Sequence, residues 1–124
     1  PFWARYSAPP KSPADWTPRN SRYSAATAAM LKAGADAAAT GENPVVVNAR
    51  DADVICGPMG ILTANALWGE ITPAMAAAVS ESRAQKVLIP VNRCSVTVVG
   101  VAELPLGEYV RLAVQAAKEQ LEEK

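Results

Sequence analysis

The strongest constraint on this chain is a set of short, unbroken apolar runs rich in β-branched residues. They are PVVVN at 44–48, DVICG at 53–57, KVLIPV at 86–91 and SVTVVGV at 95–101. Runs this short, without alternation, suit strands covered on both faces, as parallel pairing under helices provides. Helical stretches separate most of them. SAATAAMLKAGA at 24–35 can be capped by Ser24 and stopped by Gly34. GPMG opens ILTANALW at 61–68, with Pro58 near a first helical turn. TPAMAAAVSESRAQ at 72–85 has Thr72 as N-cap and Pro73 at the first helical position. In the C-terminal helix Val110, Leu112 or Ala113, Val114, Ala117 and Leu121 share one broad apolar face. DAAATGEN at 36–43 reads as a turn or helical remnant closed by Gly41 and Asn43. SVTVVGV is expected as a hairpin or edge strand. The alternation predicts an α/β fold with a largely parallel sheet and flanking helices.

That pattern begins only at Ser24. Residues 1–23 hold five of the ten prolines and five of the seven aromatic residues (Phe2, Trp3, Tyr6, Trp16, Tyr23), with neither helical nor strand periodicity. Proline at that density breaks helices and central strands alike. Two parts are therefore expected: an irregular segment at 1–23 and a single α/β domain at 24–124. The zero net charge is also composite, because the second part carries 8 Lys and Arg against 11 Asp and Glu.

Composition removes several functions. The chain has no His, which excludes His-dependent nucleophile systems and His-ligated metal sites. Cys56 and Cys94 are far apart and form no CxxC pair, so no disulfide framework or zinc ribbon is indicated, and a reduced cytoplasmic setting is the default. Cys56, inside an apolar run, reads as core. Balanced charge argues against nucleic acid and anionic membrane as partners. No apolar run approaches the roughly 20 residues that span a bilayer.

In open α/β sheets, ligands bind beyond the carboxyl ends of the strands. Three features fall there: Asn48 after PVVV, the turn Gly57, Pro58, Met59 and Gly60 after DVIC, and Asn92, Arg93 and Cys94 after VLIPV. The glycines would admit a ligand close to backbone, and a following helix N-terminus would favour an anion. Asn48 and Asn92 offer hydrogen bonds, and Arg93 offers a partner for phosphate or carboxylate. The turn of Gly41, Glu42 and Asn43 is a further candidate polar clasp. Structural readings compete at every position. Glycines satisfy strand–helix turns, Asn ends strands, Arg solvates surfaces, and Cys94 without His is most simply an inert thiol. GPMG lacks the lysine of a phosphate-binding loop and the third glycine of a dinucleotide loop.

Three stretches carry a family resemblance: SAATAAMLKAGADAAATGEN, VVVNARDADVICGPMGILTANALWGEITPAMAAAV and KVLIPVNRCSVTVVGV. From 24 to about 115 the chain closely resembles a bacterial family of uncharacterised proteins, domain-of-unknown-function family 3842. The resemblance implies a cytoplasmic, Rossmann-like domain with no assigned activity. It also implies an N-terminal β-α-β portion, with a glycine-rich VIDGQGGGIG-like loop, that cannot be read here. A shifted reading frame would account for this. Codons for residues 18–23, read from the third base, permit Ala-Glu-Leu-Ala-Leu, as family members carry before the first matching helix.

The expected function is binding of a nucleotide or another phosphate- or carboxylate-bearing metabolite. The competing expectation is a non-catalytic subunit that packs against copies of itself or a partner. Turnover would rest on Glu42, Glu70, Cys94 or a cofactor such as a nucleotide. No metal is expected.

Overall fold

A computed structural model describes residues 2–5, 25–91 and 95–123. The fold is mixed α/β, and the chain divides into two compact units, Pro1–Val45 and Val46–Lys124.

In the first unit, strand β1 (Phe2–Arg5) pairs antiparallel with β2 (Ala37–Thr40), setting Phe2 opposite Thr40 and Arg5 opposite Ala37. Within the segment expected to be irregular, these four residues are thus extended and paired. Ser24, the expected cap, lies outside the described residues. Helix α1 (Ala25–Lys32) is built mainly of alanine, the strongest helix former. It stops where Gly34 takes φ +104°. There the Gly34 N–H donates to the Leu31 carbonyl at 3.1 Å and the Ala35 N–H to Met30 at 3.0 Å, the paired bonds of a Schellman cap. Thr27, fully buried, meets Thr40 through their hydroxyls at 2.8 Å and ties α1 to β2.

The turn or helical remnant expected at 36–43 is instead strand β2 followed by a new helix. Gly34 and Gly41 (φ +125°) bracket too few residues to nucleate a helix, and β1 supplies the backbone partners that a strand needs. The buried strand expected at 44–48 is likewise corrected. Helix α2 (Glu42–Ala49) contains the whole valine run. Pro44 stands in its first turn, where a missing N–H costs nothing, and Glu42 complements the positive end. Valine's poor helix propensity amounts to tenths of a kcal/mol per residue, too little to outweigh these starts. The division of the chain into its two units falls within the residues of α2, between Val45 and Val46.

The second unit holds the parallel element. Strand β3 (Val54–Pro58) pairs in parallel with β4 (Gln85–Ile89), from Val54 opposite Gln85 to Pro58 opposite Ile89. The expected single, largely parallel sheet is therefore two separate pairs, one antiparallel and one parallel. Helix α3 (Pro73–Glu81) starts as the sequence predicts. Thr72 accepts a hydrogen bond from the Met75 N–H at 3.2 Å, and Pro73 occupies the first helical position. Met75, Ala76 and Val79 are buried. Beyond α3, the Ser82 hydroxyl donates to the Ala49 carbonyl at 2.5 Å and accepts from the Ala84 N–H at 3.1 Å. One side chain thus fastens the end of α2 to the start of β4. Helix α4 (Leu106–Glu122) packs against β3 and β4.

Two expected elements are absent from this unit. The stretch 61–68 forms no α-helix. A single 3-10 turn (Met59–Leu62) gives way to a loop in which Asn65, Leu67 and Trp68 take φ of 61°, 54° and 58°. Buried Ala66 and Ile71 anchor this loop instead of a helical face. The fourth strand at 95–101 does not form among its described residues. Ser95 (φ 68°) and Gly100 (φ 79°) break the extended run at both ends, and Val99 is 94% exposed. Tyr109 holds the following segment, its hydroxyl donating to the Ala102 carbonyl and accepting from the Leu104 N–H at 3.3 Å.

Candidate functional site

Parallel pairing brings the carboxyl ends of β3 and β4 to one end of the sheet, where Pro58 faces Ile89. The segments leaving that end are 59–72, after β3, and the stretch beginning at Pro90, after β4. Of the expected rim, Gly57, Pro58, Met59 and Gly60 are gathered here. Asn92, Arg93 and Cys94 lie outside the described residues.

The glycines have structural work. A Cβ on Gly57 would lie 3.1 Å from Ile61 Cδ1, so the strand end is bare because the 3-10 turn folds over it. Gly60 is buried, and its carbonyl accepts from the Thr63 N–H at 3.1 Å. Pro58 is extended (φ −70°, ψ 156°) as the last residue of β3, and Met59 begins the 3-10 turn. The helix N-terminus expected to favour an anion here is replaced by that four-residue turn. Its few aligned peptides cannot supply the field of a longer helix.

Asn48 moves off the rim. It lies inside α2 and ends no strand, which removes the reason for placing it at a carboxyl end. Gly41, Glu42 and Asn43 belong to the first unit, with Gly41 at the junction of β2 and α2 and the other two opening the helix.

Cys56 is exposed rather than core, because its position on β3 turns the residue away from the unit's buried interior. The surrounding protein still withdraws enough water to push its thiol above the ordinary cysteine value. A thiol held protonated in this way is a poor nucleophile near neutral pH. Between β4 and α4 lies an open cleft of about 200 Å³, walled by Val87, Ile89 and Pro90 on one side and Tyr109, Leu112 and Ala116 on the other. No charged side chain lines it. Among the described residues, no three His, Cys, Asp or Glu side chains gather as metal ligands, and no helix is long and apolar enough to cross a membrane.

Sequence reasoning missed Trp68. It follows β3 in the loop after the 3-10 turn, in a left-handed conformation, and is fully exposed at 105%. The available signal was an aromatic residue set before Gly69 within ANALWGE, where a helix was expected to absorb it.

These features define an α/β protein with a parallel strand pair and a cluster of loops at its carboxyl end. The family model described as Domain of unknown function (DUF3842) matches residues 21–122, and the chain belongs to that family. No curated protein and no solved structure gives a significant match.

Proposed function

We propose that the chain is a Rossmann-like domain that binds a small metabolite bearing phosphate or carboxylate at the carboxyl end of β3 and β4. The observation that carries this reading is the parallel register ending at Pro58 and Ile89, because ligands of open α/β sheets collect beyond such ends. Arg93 would pair with the anion, Asn92 would hydrogen-bond it, and Cys94 would pack beside it. Gly57, Pro58, Met59 and Gly60 would form the opposite wall. With no cysteine framework in the sequence, a reduced cytoplasmic setting fits this reading.

Thermal shift of the purified chain with nucleotides, sugar phosphates and inorganic phosphate tests it. A ligand at a hundred times its Kd should add about 2.7 kcal/mol of stability. Asn92→Ala and Arg93→Ala should abolish the response. A panel with no response, or a response unchanged in both variants, removes the reading.

One observation favours a second reading, a non-catalytic self-associating subunit. Leu106, Val110, Val114 and Leu121 form an exposed apolar stripe along α4. Sedimentation decides it: a stable oligomer without ligand response supports association, and a monomer at high concentration excludes it.

A further inference from the structure

The loop after β3 carries an expensive arrangement that the packing of the unit leaves unused. Leu67 and Trp68 both adopt left-handed backbone (φ 54° and 58°), a region that bulky residues rarely occupy. Such strain persists only where surrounding structure enforces it, and it collects at binding sites. Here the enforcement is visible. The Asn65 N–H donates to the Ile71 carbonyl at 2.6 Å, and the Ile71 N–H returns a bond to Ala66 at 3.2 Å. The Gly69 N–H donates to the Asn65 carbonyl and the Glu70 N–H to Leu67, both within the loop. Ala66 (4% exposed) and Ile71 (7%) anchor its base. What this scaffold holds out is the Trp68 indole, 105% exposed.

We propose that Trp68 is an aromatic platform on which a flat heterocycle of the ligand stacks, a nucleobase being the class that fits. This rests on the reading of the β3–β4 carboxyl end as the ligand rim and narrows its ligand from any anionic metabolite to one with a planar ring. Area decides between a ring and a protein partner. One indole offers at most about 250 Å², whereas a stable protein interface needs about 800 Å² from each side. Asn65, Gly69 and Glu70 around it are exposed and non-apolar, while the apolar Leu67 beside it is half-buried and Leu62, 38% exposed, stands at the start of the loop. A ring stacked on Trp68 covers apolar surface at little entropic cost, since the loop is already fixed.

Calorimetry on the full chain with adenosine monophosphate and with ribose 5-phosphate tests the proposal, using wild type, Trp68→Ala and Trp68→Phe. Adenosine monophosphate should bind wild type, lose about tenfold in affinity in Trp68→Ala, and stay within about threefold in Trp68→Phe, whose ring retains a stacking face. Ribose 5-phosphate should bind more weakly and respond to neither substitution. Equal binding of both compounds, with Trp68→Ala indifferent, would overturn the platform while leaving the anion rim intact. Binding of neither compound removes rim and platform together. Dissociation of an oligomer by Trp68→Ala, without ligand binding, would assign the indole to a subunit contact and overturn the proposal. Circular dichroism of both variants guards against misfolding, and quenching of indole fluorescence that vanishes in Trp68→Phe reports the same contact independently of affinity.

Discussion

Helices α3 and α4 occupy the same compact unit and reverse what their sequences suggest. α3 is a nine-residue run of mostly small side chains with little contrast between its faces, yet it buries Met75, Ala76 and Val79. α4, at seventeen residues, has the clearer division into polar and apolar faces and buries no residue. Small side chains let α3 sink between the 3-10 turn and neighbouring chain, so burial follows from close approach. The half-buried positions of α4 include Tyr109, Ala113, Ala116 and Ala117, while Leu106 and Leu121 remain 59% and 52% exposed. Amphipathicity alone does not turn the apolar stripe of a helix inward. How deeply it sits depends on what is there to cover it.

The largest effect should come from testing that contrast directly. Met75 is the largest fully buried side chain among the described residues, 2% exposed. Met75→Ala should cost about 2–4 kcal/mol in urea unfolding through lost burial and a residual cavity. Val114→Ala on α4, where the side chain is 42% exposed, should cost under about 0.5 kcal/mol. A Val114→Ala loss matching that of Met75→Ala would mean that α4 is covered in solution, and the contrast between the helices would collapse.

A smaller effect concerns how the two helices begin. α3 has a side-chain cap in Thr72, whereas Pro105 ahead of α4 provides none. Thr72→Ala should lower stability by about 1 kcal/mol, and Thr72→Ser should restore most of it. If the alanine variant melts with wild type, α3 is held by its burial alone.

The same two helices mark how far the sequence could be read. Caps and stops were legible because they are local: Thr72 with Pro73, and Gly34 at the end of α1, act through bonds to residues within a turn. The parallel partners β3 and β4 were legible as apolar runs. The valines at 45–47 were misread because a three-residue apolar run fits either period, and Pro44 with Glu42 tipped the choice. Strand β2 was illegible for a different reason. Ala37, Ala38 and Ala39 prefer helix, and only pairing with β1, more than thirty residues away, makes them a strand. At the candidate site, Gly57 and Gly60 lie at the carboxyl end of β3, but the close approach of Ile61 to Gly57 and the exposure of Trp68 depend on the 3-10 turn. Nothing in the residue pattern announces that turn.

The smallest expected effect is electrostatic and separates surface chemistry on α4 from packing on α3. Arg111 reaches Glu108 one turn earlier with two bonds, Nη2 to Oε1 at 2.6 Å and Nε to Oε2 at 3.1 Å. The hydrogen bond from Arg111 holds the Glu108 carboxyl below its ordinary value. A group whose folded pKa is depressed contributes stability above its unfolded value, about 4.3 for Glu, and loses it as pH falls through the folded value. Arg111 is shifted upward by the same bond and stays charged throughout, so there is no alkaline counterpart. Both side chains are largely in water, 41% and 60% exposed, which keeps the contribution small and sensitive to salt. Glu108→Gln should therefore lower the urea midpoint slightly at pH 7 and low ionic strength. The gap should close in high salt, and it should close as pH falls through the lowered Glu108 value, where wild type also loses its charge. A gap that persists below that value would show that residue 108 acts through packing, and α4 would then be seated more firmly than its exposure indicates.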